Sequence, residues 1–321
     1  MRFKLHSGYV GCSLLVFAAS LPCQPSFAQA HTRPAITGIS HLSVYTSDSA
    51  ATERYYTQVI GAAKASDPEN AKGVRYMITA TQFVEVLPLP PCGGICPNRL
   101  DHVGFQTASA EGLRVYLKGK GWDVPPAITR YDDGSKAFRV KDPEGNTVEF
   151  VEPSAKAGKP DDPNIIGHHV IHVGFLVHSR AKEDSFYREL LGFRPYWFGG
   201  MHGDRVEWVS QQTPESHDWL EYMVTSEPGD SGIPATISQK TLGVLDHISI
   251  GVVSVPDAYK KLKDEGRLKD VRVDDAPKVG KDGKYQLNLY DPDGIRLELM
   301  EFHAVEKPCC SPFTAEDPKP E

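Results

Sequence analysis

The sequence predicts an α+β protein made of four copies of one strand–helix–strands module, and three observations predict it. A short strand pattern with a central histidine occurs four times, as Ser40-His-Leu-Ser-Val44, Asp101-His-Val-Gly-Phe105, Ile171-His-Val-Gly-Phe175 and Asp246-His-Ile-Ser-Ile250. A helical stretch follows in fixed register. His41 to Tyr56 and His172 to Tyr187 are both 15 residues, His41 to Gly61 and His172 to Gly192 both 20, and His102 to Gly121 and His247 to Gly266 both 19. The even copies also share a turn, Asp142-Pro-Glu-Gly145 and Asp291-Pro-Asp-Gly294, with a glutamate 7 residues after the aspartate in each case. An internal repeat of this kind sets the architecture before any single motif is read.

Each opening strand alternates apolar and polar residues, the period of a half-buried strand. The helix comes next and ends near glycine, over Glu53–Gly61 in the first copy and Asp184–Gly192 in the third. Roughly three strands complete each copy. In the even copies the Asp-Pro-x-Gly turn fixes the last hairpin, and with it the face that the final strand presents. Copies one and two fill 36–155 and copies three and four fill 167–303. The stretch between, 156–166, falls in a run bearing proline and lysine with no apolar period, which is linker composition. Residues 304–321 read as a Pro-rich tail, and 321 residues suffice for two domains of this size.

The first thirty residues stand outside this repeat. Arg2 and Lys4 precede an apolar stretch around Leu14–Phe17, and Ser26-Phe-Ala-Gln-Ala30 supplies the small residues of a cleavage site. That is the pattern of a signal peptide over 1–30, too short and interrupted to stay in a bilayer. The expectation is an exported protein, periplasmic or extracellular, with no membrane association after cleavage. The full chain carries 35 basic and 42 acidic residues, a net charge of −7, with a mean hydropathy of −0.36. It has no basic run, so nucleic acid is not an expected partner. Export gives Cys92, Cys96, Cys309 and Cys310 an oxidising setting, where disulfides form more readily than a thiolate zinc site. Four cysteines allow three pairings. A bridge from the 92/96 loop to the tail would pin a terminus that otherwise frays.

The registered residues carry the chemistry. His41, His102, His172 and His247 sit in the first strands, and Glu85, Glu149, Glu221 and Glu298 sit between apolar neighbours in the last. Imidazole and carboxylate in such positions must be exposed, paired or bound to something. On rigid strands they suit a divalent first-row metal, Fe, Mn, Ni, Co or Zn, with positions left open for water or substrate.

With these motifs in place, the chain resembles the vicinal oxygen chelate superfamily, which includes glyoxalase I, extradiol dioxygenases and fosfomycin-resistance proteins. The Asp-Pro-x-Gly…Glu endings and the Phe-Tyr-x-x-x-Leu-Gly-Phe helix at 186–193 carry the resemblance over nearly the whole mature chain. It implies βαβββ modules paired into two cup-shaped half-barrels. It also implies two ligand sets, His41/Glu85/His102/Glu149 and His172/Glu221/His247/Glu298. Glyoxalase-like members resemble this chain in having carboxylates in both modules. Ring-cleaving dioxygenases place a catalytic histidine where this chain has Glu221, and a tyrosine where it has Asn288, with Tyr290 one pleat on. Their further histidine would fall near Val279-Gly-Lys281, where there is none.

The activity this implies is that of a metal-dependent isomerase, lyase or epimerase acting on a small substrate with adjacent oxygens. Glu221 or Glu298 would move a proton between neighbouring carbons, with the third and fourth copies forming the preferred site. Tyr187, Trp197, His202 and His217 are candidates to shape its pocket. An Fe(II) dioxygenase and a non-catalytic binding or resistance protein are the alternatives, in a monomer or homodimer.

Overall fold

The four histidine strands lie in pairs at the centres of two curved sheets. The computed structural model describes residues 32–92, 98–155, 164–201, 205–225 and 238–320, together with Met1 and Lys4. His31–Glu321 forms one compact unit. The expected signal peptide, apart from Met1 and Lys4, lies outside the described residues, as do 156–163 of the expected linker, Cys96 and His202.

The first sheet contains β1 (Ile36–Thr46), β2 (Ala63–Ser66), β3 (Val74–Met77), β4 (Phe83–Pro88), β5 (Leu100–Thr107), β6 (Thr129–Arg130), β7 (Lys136–Lys141) and β8 (Thr147–Glu152), in the order β2-β3-β4-β1-β5-β8-β7-β6. The second contains β9 (Val170–Val177), β10 (Arg194–Gly199), β11 (Trp208–Gln212), β12 (Trp219–Val224), β13 (His247–Val252), β14 (Arg272–Val273), β15 (Lys278–Val279), β16 (Tyr285–Tyr290) and β17 (Arg296–Glu301). Its order is β10-β11-β12-β9-β13-β17-β16-β14, with β15 beside β16. Copy one therefore pairs with copy two and copy three with copy four. In each sheet the two histidine strands are antiparallel to one another and parallel to the glutamate strands outside them.

The central strands are buried on both faces, not one as the alternation predicts: β9 has a single half-buried residue and β13 none. One face meets the apolar core. The other is covered by the histidines and glutamates themselves, so the polar positions of the pattern are interior too.

The helix of copy one, α1 (Ser49–Arg54), starts at Asp48, whose carboxylate accepts the Ala51 amide, and widens into a π turn over Tyr55–Ile60. Next come α2 (Ala110–Gly119), α3 (Arg180–Asp184, with its π turn Ser185–Leu190), α4 (Gln239–Leu245) and α5 (Val255–Asp264). The registered glycines follow the helices of the four copies. Gly61, Gly121, Gly192 and Gly266 have φ of 80°, 83°, 81° and 68°, a left-handed conformation that side chains disfavour and that stops a helix.

One apolar core runs through both halves. Two reciprocal contacts tie the halves across it, with the Tyr56 hydroxyl donating to Asp291 and the Tyr187 hydroxyl to Asp142, each at 3.4 Å. Tyr187 is thus a fully buried residue of this seam and does not shape a pocket, because the aspartate of the other half's turn takes up its hydroxyl. The Gln82 side chain bridges the halves as well, donating to the Val170 carbonyl at 3.0 Å and accepting from its amide at 2.9 Å.

The tail is packed, but no cysteine bridge from the 92/96 loop pins it. Cys309 pairs with the adjacent Cys310, which leaves neither for Cys92, itself disulfide-bonded. The fully buried Lys284 anchors the tail instead. Its ammonium donates to the Phe302 carbonyl at 2.5 Å, to the Tyr196 hydroxyl at 3.0 Å and to Asp317 at 2.8 Å. Trp197 also serves the tail, its indole N–H donating to the Cys309 carbonyl at 3.2 Å. Removing one partner of such a buried pair strands the other. Lys284→Met is expected to cost about 2 kcal/mol in urea unfolding, a low figure for this class because Asp317 keeps some contact with water. An unchanged midpoint would show that the tail is held by its apolar contacts alone.

Candidate metal centres

Strand register builds both clusters from one rule. In every parallel pair the glutamate lies two residues beyond the residue opposite the histidine. His41 faces Phe83 with Glu85 two on, and His102 faces Thr147 with Glu149 two on. His172 faces Trp219 with Glu221 two on, and His247 faces Arg296 with Glu298 two on. Residues two apart point to the same side of a sheet, so all eight side chains converge in two groups of four.

In the first half the His41 and His102 Nε2 atoms are 2.8 Å apart, and Glu149 Oε2 lies 3.4 Å from each. Glu85 Oε2 is 3.9 Å from His102 Nε2. In the second half the His172 and His247 Nε2 atoms are 3.0 Å apart, with Glu298 Oε2 at 3.2 Å from the former and Glu221 Oε2 at 3.3 Å from the latter. A cation about 2.1 Å from each of several ligands holds them roughly 3.0–3.4 Å apart, which these spacings match. Glu149 Oε2 supports the fit: it is buried, has no hydrogen-bond partner among the described residues and faces both imidazoles. The donor set, two imidazoles and two carboxylates, suits a divalent transition metal in either half.

The outer rings of contacts differ. His247 Nδ1 donates to the Leu245 carbonyl at 2.6 Å; a carbonyl only accepts, so Nε2 of the neutral ring keeps its lone pair for the cluster. His102 Nδ1 donates to Asp101 at 2.6 Å, an anionic partner. Phe83 stacks on His41 and Trp219 on His172, both at 4.6 Å between centroids. In the first half Arg139 donates to Glu149 Oε1 at 2.9 Å, and Arg75 lies over Phe83 at 4.3 Å. A cavity of about 590 Å³ in that half is lined by Arg75 and Phe83, and Phe83 stands against His41. In the second half Ser210 donates to Glu221 at 3.4 Å and Arg296 comes to 4.0 Å from Glu298. Seven of the eight side chains are at most 3% exposed, whereas Glu221 is 16% exposed.

These surroundings set the protons. Burial, with Arg296 nearby, pushes His247 down to about 4. Burial opposes ionisation of Glu298 and Glu221, but the facing histidines overcome it and hold Glu298 at about 2 and Glu221 below the usual carboxylate range. In the first half burial likewise works against a charged His102, but its hydrogen bond to Asp101 and the negative charge of Glu149 facing it lift it to about 9. Burial and the facing His102 push His41 down. Burial raises Glu85 to about 7.

Among the other residues named from the sequence, His217 is half-buried in the β11–β12 turn. Asn288 lies opposite Glu298, its amide donating to Asp274 at 2.9 Å and its Oδ1 buried without a partner among the described residues. Tyr290 carries Arg272 over its ring at 3.7 Å. Sequence reasoning missed Asp101, Arg139 and Ser210. An aspartate precedes the histidine in both even copies, yet Asp246 turns instead to Asn98 at 2.7 Å and the Leu176 amide at 3.3 Å.

A family model, the Glyoxalase/Bleomycin resistance protein/Dioxygenase superfamily, matches residues 38–150 and 169–299. The chain belongs to this superfamily. Solved structures share its fold at low identity. The 2,3-dioxygenase LapB from Pseudomonas sp. KL28 is 16% identical with a TM-score of 0.63, over 88% of this chain and 97% of that one. The Mn(II)-bound glyoxalase from Novosphingobium aromaticivorans is 18% identical with a TM-score of 0.62, over 84% and 83%. Homoprotocatechuate 2,3-dioxygenase from Brevibacterium fuscum is 16% identical with a TM-score of 0.60, over 84% and 82%. No curated protein matches the sequence. As a superfamily member with two buried His/Glu clusters, the chain carries candidate sites for a divalent metal in both halves.

Proposed function

We propose that this superfamily member is a metal-dependent isomerase or lyase, and that its second half acts on a small substrate with adjacent oxygens. The observation that carries the reading is Glu221. It stands within 3.3 Å of His247, and it is the most exposed of the eight candidate ligands. A divalent cation held by His172, His247, Glu298 and Glu221 would supply Lewis acidity to the substrate oxygens. The chain supplies the rest. His172 and Arg296 hold Glu298 on either side, which suits it to remain a ligand. Among the described residues Glu221 has His247 and a long contact from Ser210; it is ionised at neutral pH, and it is the residue that takes a proton from one carbon and returns it to the next. Trp219 against His172 keeps the ring in place and excludes water from that side.

The test is deuterium exchange from heavy water into a panel of α-hydroxy ketones by metal-loaded protein. Glu221→Gln is expected to keep metal and lose exchange by about a hundredfold or more, and Glu298→Gln to lose both. Oxygen uptake with a catechol that survives Glu221→Gln would replace this reading with ring cleavage. Tight binding of a ketone without exchange would leave a binding protein.

Export is part of the proposal. It rests on the leader pattern ending at Ala30, and the disulfide state of Cys92, Cys309 and Cys310 is in keeping with an oxidising compartment.

A further inference from the structure

The first half buries more negative charge than its guanidinium groups neutralise. The side chains of Asp67, Glu69, Glu85 and Glu149 are at most 5% exposed, and Asp101 is 19% exposed; the guanidiniums among them are Arg75 and Arg139. Asp67, Glu69 and Glu85 each offer a carboxylate oxygen within 4.8 Å of the other two.

Most of their lone pairs are accounted for. Glu69 accepts from Arg75 at 2.6 Å, Arg139 at 3.0 Å and the Tyr131 hydroxyl at 3.0 Å. Asp67 Oδ1 accepts the Glu69 amide at 2.9 Å and meets Arg75 at 3.3 Å. Glu85 Oε2 accepts from Ser43 and faces His102. Two atoms remain, Asp67 Oδ2 and Glu85 Oε1, both buried and without a hydrogen-bond partner among the described residues. Unpaired carboxylate oxygens out of water are costly unless a positive charge or a proton lies between them.

We propose that Asp67, Glu69 and Glu85 form a second cation site in the first half, taking a hard divalent cation of the calcium or manganese class. The donor set is oxygen only, which favours such ions over those that prefer imidazole. Glu85 belongs to both groups, its Oε2 3.9 Å from His102 Nε2 and its carboxylate offering an oxygen within 4.8 Å of Asp67 and Glu69. The site shares that one residue with the His41/His102/Glu149 cluster, but it needs no cation there.

Tyr131 provides the readout, because a phenol hydrogen-bonded to a ligand sensitises the emission of terbium, which takes calcium-type oxygen sites. Chelator-treated full-length protein is titrated with Tb³⁺ under tyrosine excitation, and Co²⁺ uptake by the histidine clusters is followed separately. The expected result is saturable emission that Ca²⁺ displaces and Tyr131→Phe abolishes. Asp67→Asn is expected to weaken Tb³⁺ by at least about tenfold, the scale on which lost coordination partners act, with Co²⁺ uptake unchanged. Emission that Asp67→Asn leaves intact, or no emission at all, overturns the proposal. If Co²⁺ uptake persists in that case, the histidine clusters stand without it. Should Asp67→Asn not fold, the wild-type titration decides, and emission that Ca²⁺ fails to displace overturns the proposal.

Discussion

Replacing Gly174 with alanine is expected to strip the second half of its cation while the rest of the fold persists. Gly174 lies opposite His247 in the antiparallel pair of histidine strands, and the imidazole rests directly on its backbone. An added Cβ would stand 2.0 Å from His247 Cε1, 2.6 Å from Nδ1 and 2.8 Å from Nε2. None of these contacts can be met by a small shift of a flexible tip, since the ring is fixed by its hydrogen bond to the Leu245 carbonyl. His247 must swing away, and its Nε2 leaves the position 3.0 Å from His172. The backbone at Gly174 has no positive φ, so the substitution acts through space and not through conformation. Metal affinity of the second half should fall by about a hundredfold or more, since displacing a ligand exceeds the effect of an outer-shell loss, with about 1–3 kcal/mol lost to overpacking. Gly104→Ala should do the same to the first half, where the added Cβ would lie 2.3 Å from His41 Cε1. Gly119→Ala, with nothing within 4 Å, is the control. Metal content by plasma mass spectrometry reads all three, and a Gly174→Ala protein that kept its full metal would remove His247 from the ligand set.

Those two glycines also show what the sequence made legible. The repeated His-Val-Gly-Phe of copies two and three marks the module and places the histidine. It also encodes the gap that the opposing histidine needs, but only the antiparallel pairing of β5 with β1 and of β9 with β13 reveals which ring fills it. Period and register predict the module and the eight converging side chains, because a strand's face is fixed by parity alone. They could not predict that copy one pairs with copy two, nor that Tyr187 seals the seam, since both depend on contacts between distant segments. Nor could they separate the two halves chemically. Asp101 and Asp246 occupy the same place in the repeat, and only the side-chain rotation of Asp101 brings a carboxylate to the histidine beside it.

That rotation is expected to make the halves take up metal at different pH. A cation must displace any proton its ligands hold. In the second half His247 at about 4, Glu298 at about 2 and Glu221 below the usual carboxylate range hold no proton near neutrality. In the first half His102 at about 9 is charged throughout the physiological range, and Glu85 at about 7 is partly neutral. Each pH step of one below His102's value costs about tenfold in apparent affinity, so at pH 6 the first half is weakened roughly a thousandfold. Titration with Co²⁺ should find one equivalent bound tightly at pH 6 and a second joining as the pH rises towards 9. The stability of the metal-free protein follows the same proton. Because folding raises His102, its contribution is complete below the unfolded value near 6.5 and is lost as the pH rises through about 9. The first half thus sheds its internal proton in the interval where a cation can replace it. Asp101→Asn removes the carboxylate that holds the proton, so the first half's loading should move towards acid. If that variant loads at the same pH as the wild type, the proton on His102 is held by Glu149 facing it and not by Asp101.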